Sequence, residues 1–142
     1  MKVLLTGGTG LIGRALLPRL DKKYEIRIFG RTKPEPKYEF IKGELENSTD
    51  VQKATRDIEA VIHLGAVLAG QDPIKTIDVN VKGTLNVLEA AVKNNVKRIV
   101  FASSILVIGD IDYLPIDEEH PCKPKNIYGL SGLFHELCYV FA

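Results

Sequence analysis

The residues best suited to chemistry lie close to the N-terminus. Gly7-Gly8-Thr9-Gly10-Leu11-Ile12-Gly13 sets Gly7, Gly10 and Gly13 three residues apart, between an apolar run and a helical pattern. Such a loop suits a dinucleotide. One glycine makes a tight turn, one lets the backbone approach a pyrophosphate, and one lets the next helix pack closely on the sheet. The helix N-terminus then offers free N–H groups and partial positive charge to the phosphates.

A second apolar run ends at Gly30-Arg31. A site for NAD normally carries Asp or Glu there, to accept hydrogen bonds from the adenosine ribose. Glycine leaves room for a 2′-phosphate, and an arginine guanidinium can bind one bidentately. The pair favours NADP, with NAD still open. Other polar residues carry less. His63, His120 and His135 show no metal-ligand spacing with the acidic residues, so packing or surface roles and no metal are expected. Asp117-Glu118-Glu119 reads as a solvated loop, and Lys93, Lys97 and Arg98 are too few for a nucleic-acid site. Cys122 and Cys138 read as two free thiols.

Positioning these groups requires strands that alternate with helices. Apolar runs at 2–6, 24–29, 38–42, 60–64 and 98–102 predict five strands. Helical spacing predicts helices over 11–20, with Pro18 loosening the last turn, and over 48–56, capped by Ser48 or Thr49. A longer helix is expected over 79–94, with Val81, Leu85, Leu88 and Val92 on one stripe, and a last one over 127–141. Strand interiors that are apolar throughout indicate an α/β fold, a doubly wound parallel sheet covered on both faces. Right-handed crossovers give the strand order 3-2-1-4-5.

The 142 residues are 45% hydrophobic and 26% charged, with 19 basic against 18 acidic side chains. A net charge of +1 recruits neither nucleic acid nor an acidic membrane. The first apolar run is too short for a secretory signal, and none approaches the ~18–20 residues that span a bilayer. One domain over 1–142, in the cytoplasm, is the expectation.

With these residues in place, the sequence resembles the extended short-chain dehydrogenase/reductase family, and within it the NAD(P)-dependent sugar-nucleotide epimerases and dehydratases. The resemblance covers essentially the whole chain. Thr6 to Gly13 matches the TGGxGxxG loop, and Glu44-Leu45 stands where the family has Asp followed by Ile or Leu against adenine. His63-Leu64-Gly65-Ala66 matches HLAA, and Asn80-Val81-Lys82-Gly83-Thr84 matches NxxGT. Ser103-Ser104 through Gly109 matches SSxxVYG with Ile108 for tyrosine, and Tyr128 opens the YxxxK motif. The resemblance implies a Rossmann-like fold and cofactor contacts from Gly7, Thr9, Gly10, Leu11, Ile12, Gly13, Arg31, Glu44, Leu45, Leu64, Gly65, Ala66, Asn80 and Tyr128. It implies Tyr128 as the acid/base toward a sugar hydroxyl, Ser104 as its hydrogen-bonding partner on the reacting oxygen, and a sugar nucleotide as substrate. It also implies a homodimer through the 79–94 and 127–141 helices, with Leu133 and Leu137 in the interface.

Two departures bear on activity. Four residues after Tyr128 the family's lysine is replaced by Gly132. That lysine would lower the tyrosine pKa from its ordinary value near 10. Glycine carries no charge and costs a helix interior about 1 kcal/mol relative to alanine, with no return visible in the sequence. His135 lies two turns along, roughly 10 Å away by helical rise. The chain also stops at Ala142, so the family's C-terminal substrate-binding portion is expected to be absent and strand 98–102 to form an apolar edge. Three functions remain open: a divergent epimerase or dehydratase, a non-catalytic dinucleotide-binding regulator or partner subunit, and a remnant of a longer enzyme.

Overall fold

The computed structural model describes residues 1–140, with side chains through Cys138. Strands β1 (Lys2–Thr6), β2 (Glu25–Gly30), β3 (Glu39–Lys42), β4 (Ala60–His63) and β5 (Arg98–Phe101) form one parallel sheet in the order β3-β2-β1-β4-β5. The expected doubly wound topology is therefore present.

Alternation along each strand divides the core into two layers. Val3 and Leu5 of β1 join Ile26, Ile28 and Ala60 beneath Leu17 of α1 (Leu11–Leu20). Leu4, Phe29 and Val61 point the other way, against Val51 and Ala54 of α2 (Ser48–Ala54) and Val87 and Ala90 of α4 (Gly83–Lys93). One strand interior is not apolar. Arg27 is buried on the α2 face, where its guanidinium donates to Glu39 Oε1 (2.9 Å) and to the carbonyls of Ala54 (2.9 Å) and Arg56 (2.6 Å). Complete hydrogen bonding is what makes such a burial tolerable.

Several local expectations change. α1 keeps its course through Pro18 and closes with Asp21 N–H on the Leu17 carbonyl. The cap of α2 is neither Ser48 nor Thr49 but Asn47, whose Oδ1 accepts from the N–H groups of Thr49 and Asp50. The helix expected over 79–94 starts earlier, at α3 (Pro73–Thr76), capped by the Asp72 carboxylate with Pro73 at its first position. It then passes through a π-helical segment, Ile77–Lys82, into α4.

The expected stripe of that helix is also corrected. Gly83, Thr84, Val87, Ala90 and Ala91 face the core, while Leu85 and Val92 are exposed. Small residues win because the helix lies close to its neighbours: a Cβ on Gly83 would sit 2.8 Å from Leu45 Cβ. α5 (Ile127–Val140) follows a 3-10 turn, Ile105–Val107, and a long loop. Phe141, placed at the end of this helix by the sequence, lies outside the described residues.

Candidate functional site

The glycine loop after β1 and the turn after β4 meet at the C-terminal end of the sheet, where a doubly wound fold places its ligands. Gly7 has φ +69°, a left-handed conformation that favours glycine. A Cβ there would lie 2.7 Å from the Leu64 carbonyl carbon. Gly10 N–H donates to the Gly7 carbonyl (3.0 Å), closing the turn, and Arg14 Nε donates to the Thr9 carbonyl (2.8 Å). Gly13 is buried where a Cβ would stand 2.5 Å from the Gly7 carbonyl oxygen, so α1 rests directly on the loop.

The N-terminus of α1 is open. Gly10 is its cap residue and, among the described residues, no side chain caps it. Leu11 is 90% exposed and Ile12 is exposed beside it. Free N–H groups at the end of a ten-residue helix, with no acidic residue in the first turn, suit a pyrophosphate. At the end of β2 no atom lies within 4 Å of a Cβ built on Gly30, and Arg31 beside it is exposed. The end of β2 therefore presents open space beside a guanidinium.

The surrounding walls are set by small contacts. Thr6 Oγ1 accepts from Gly65 N–H (2.9 Å), and Leu64 N–H reaches the Thr6 carbonyl (3.3 Å), which ties the Leu64-Gly65-Ala66 turn to β1. Ala66 is exposed, as is Glu44. Leu45 is half-buried between Gly65 and Gly83, and its carbonyl accepts from Asn86 Nδ2 (2.8 Å). Asn80 differs from its expected place among cofactor contacts. It is buried, with Oδ1 accepting from Val67 N–H (2.9 Å) and Nδ2 donating to the Val67 carbonyl (3.1 Å) and Ser131 Oγ (3.1 Å). Its amide locks the chain after β4 to α5.

Ser104 caps the 3-10 turn, its Oγ accepting from Leu106 N–H (3.2 Å). Tyr128 is half-buried in the first turn of α5. Among the described residues no hydrogen bond links the two hydroxyls. Gly132 has the structural return that the sequence hid. It is buried, and a Cβ there would meet Val107 Cγ2 at 2.8 Å. Gly129 one turn earlier is seated against the Leu106 carbonyl and Pro124. The two glycines let α5 lie close on the 105–107 turn, Gly129 against its backbone and Gly132 against the Val107 side chain.

A buried polar chain was not visible in the sequence as a unit. Asn80 O can only accept, so His135 Nε2, 3.0 Å away, carries its ring proton. The same N–H lies 2.9 Å from Thr84 Oγ1, and Thr84 gives its own proton to the Asn80 carbonyl (2.5 Å). His63 Nε2 therefore donates to Thr84 Oγ1 (3.2 Å), and its bare Nδ1 accepts from the Thr6 hydroxyl (2.8 Å). Both imidazoles are neutral. Burial, then the nearby His135, pushes His63 down to about 3. Burial likewise lowers His135, partly opposed by the Asn80 carbonyl. The residual cost sits at His135 Nδ1, which is buried and has no partner among the described residues. No spacing in the sequence marks this chain; His63 and Thr84 are 21 residues apart, and His135 enters it through the packing of α5. His120 stands apart, its Nε2 accepting from Asp112 N–H (3.1 Å).

A parallel sheet with an open, glycine-lined helix N-terminus at its C-terminal edge defines a dinucleotide-binding protein of the short-chain dehydrogenase/reductase type. The chain belongs to the NAD dependent epimerase/dehydratase family, which matches residues 3–139. A putative UDP-glucose 4-epimerase of Methanocaldococcus jannaschii is 36% identical over 142 residues, covering 91% of this chain and 47% of the relative. The uronate dehydrogenase of Pseudomonas putida is 33% identical over 141 residues, covering 95% of this chain and 53% of the relative. The solved structure of a short-chain dehydrogenase/reductase superfamily protein from Agrobacterium tumefaciens, with bound NAD, superposes with a TM-score of 0.94 at 34% identity. It covers 99% of this chain and 44% of that one. The chain is thus similar to NAD-dependent sugar-nucleotide epimerases and spans about half the length of the curated relatives it matches. Among the described residues no helix is long and apolar enough to cross a membrane.

Proposed function

We propose that residues 1–142 form one NAD(P)-binding domain whose cofactor lies with its pyrophosphate on the N-terminus of α1. The observation that carries this is the uncapped helix end above Gly7, Gly10 and Gly13. Gly7, Thr9, Gly10, Leu11, Ile12 and Gly13 hold the phosphates, and Leu45, Leu64, Gly65 and Ala66 line the rest, with Glu44 toward adenine. Open space at Gly30 and the exposed Arg31 support a preference for NADP over NAD. When bound, the cofactor supplies hydride transfer. The chain's own part is to orient it and, through Tyr128 and Ser104, to move a proton at a sugar hydroxyl. Similarity to the epimerases supports a sugar nucleotide as substrate.

Gly132 favours a second reading, in which the domain binds the dinucleotide as a regulator or partner subunit with little or no turnover. No cation stands at that helical position beside Tyr128, and Val107 fills the space a side chain there would need. The reading extends to a homodimer through α4 and α5, supported by exposed Leu85, Val92, Leu130 and Leu137 on those helices. Leu133→Asp is expected to lower the sedimentation coefficient of such a dimer. Free Cys122 and Cys138 suit the reducing cytoplasm.

Calorimetric titration with NADP(H) and NAD(H) side by side tests the proposal. Binding of either supports the cradle, and tighter NADP(H) binding supports the role of Arg31. A folded chain that binds neither at millimolar concentration overturns the enzyme and regulator readings together.

A further inference from the structure

A cleft of ≈ 250 Å³ lies between α2 and α4, and its lining shares no residue with the proposed cofactor cradle. Both helices lead back to the start of a parallel strand, so they run in the same direction. Their C-terminal caps are joined by a hydrogen bond from Asn94 Nδ2 to Thr55 Oγ1 (2.8 Å). At that end Lys53, Arg56 and Lys93 converge on the cleft. All three are exposed, and none makes an ion pair among the described residues. Lys2, Arg27, Lys37, Lys123 and Lys125, by contrast, each have a carboxylate. A helix dipole favours a cation in the last turn, which accounts for Lys53 and Lys93 one at a time. It does not account for three cations on one cleft. Nor does it account for Glu89, which lines the cleft one turn before Lys93 and stands unpaired at a spacing that ordinarily joins the two.

The other end of the cleft is polar and uncharged. Ser48 and Thr49 open α2 there, and neither hydroxyl is spent on capping it, because Asn47 does so. Asn86 faces them from α4, roughly 10 Å before Lys93 by helical rise, its amide held by the Leu45 carbonyl (2.8 Å). Among the described residues the lining has no aromatic ring to stack on a nucleobase. A ligand matching both ends carries an anion at one end and hydroxyls along the rest. Cavities for drug-sized ligands run to about 300–1,000 Å³, so this one suits something smaller. We propose that the cleft binds a sugar phosphate or a phosphorylated polyol of similar size. The phosphoryl group lies on Lys53, Arg56 and Lys93, where a guanidinium fork and two ammonium groups supply charge-assisted donors. The hydroxyls run toward Asn86 and the Ser48–Thr49 turn. Glu89 accepts from a hydroxyl on the way, and its charge disfavours a second phosphate. The site is independent of the cofactor and of the helix-face dimer.

Backbone amide shifts of the full chain, followed by NMR during titration with glucose 6-phosphate, test the site. Saturable shifts are expected within 48–56 and 86–93. Inorganic phosphate is expected to shift the Lys53, Arg56 and Lys93 end alone and to bind more weakly, and unphosphorylated glucose to shift neither end. Arg56→Glu and Lys93→Glu, both at exposed side chains, are each expected to weaken glucose 6-phosphate roughly tenfold. Circular dichroism establishes that the variants fold. Shifts confined to 7–13 would place the phosphate on the glycine loop and overturn the proposal while leaving the cofactor reading intact. The absence of any shift at millimolar concentration overturns it too, as do charge-reversal variants that bind like the parent. Inorganic phosphate that matches glucose 6-phosphate in both shifts and affinity would overturn the role of the hydroxyl-bearing end.

Discussion

Glycine does opposite work in the two halves of this molecule. In the loop after β1, Gly7 and Gly13 fold the backbone tightly so that the start of α1 stays clear, and Gly30 nearby faces open space. In α5, Gly129 and Gly132 clear room for the protein itself, bringing the helix down on Leu106 and Val107. The first region is built to receive something and the second is already full. At position 132 of α5 a glycine takes up the close contact with Val107 that a longer side chain would disturb. The contrast teaches that the same residue type can keep a surface open in one place and close a packed contact in another.

The comparison can be broken in order of expected effect. Gly13→Val drives a branched side chain into the Gly7 carbonyl and Gly8, with a cost of about 3 kcal/mol and loss of NAD(H) binding. Chemical denaturation and calorimetry read the two outcomes. Retained binding would show that the loop does not depend on the close seat of α1. Gly132→Lys meets Val107 and is expected to cost about 1–3 kcal/mol, offset in part by better helix propensity. Adding Val107→Ala recovers much of that loss. An unchanged melting temperature for Gly132→Lys alone would sink the packing account.

Acid reads the buried chain that links the two regions. His63 and His135 titrate below the ordinary 6.5 in the folded state, so the unfolded chain binds protons first as pH falls. Their neutral forms stabilise the fold above that value. Stability is lost below it, through the window down to about 3 for His63, by up to about 1.4 kcal/mol per pH unit per group. His63→Gln should be less stable at pH 7 yet show a shallower acid slope in urea titrations at successive pH values. The smallest effect on stability is expected at the open end of β2. Gly30→Asp fits without contact, leaves the melting temperature unchanged, and shifts cofactor preference toward NAD by roughly tenfold, or about 1.4 kcal/mol.

Much of this architecture was legible in the residue order. Five apolar runs separated by helical patterns led to the observed parallel order, because fully buried strands need helices on both faces and crossovers have one hand. The glycine loop was legible for a similar reason: its spacing is a local requirement of the turn. The start of the α3–α4 helix was not, because a π-helical segment interrupts the period that sequence patterns rely on. The core stripe of α4 was not legible either, because close packing selects the small residues Gly83, Thr84 and Ala90 over the larger apolar ones.

By itself the sequence determined the topology, the dinucleotide loop and the family, since each rests on local spacing or on motifs in order. Only the tertiary structure decided what Asn80, Gly132 and His135 do. Asn80 faces Val67 and Ser131, Gly132 faces Val107, and His135 faces Asn80 and Thr84. Most of these partners are tens of residues away in the chain. Their roles follow from which atoms the fold brings within hydrogen-bonding or van der Waals distance, and no local pattern encodes that distance.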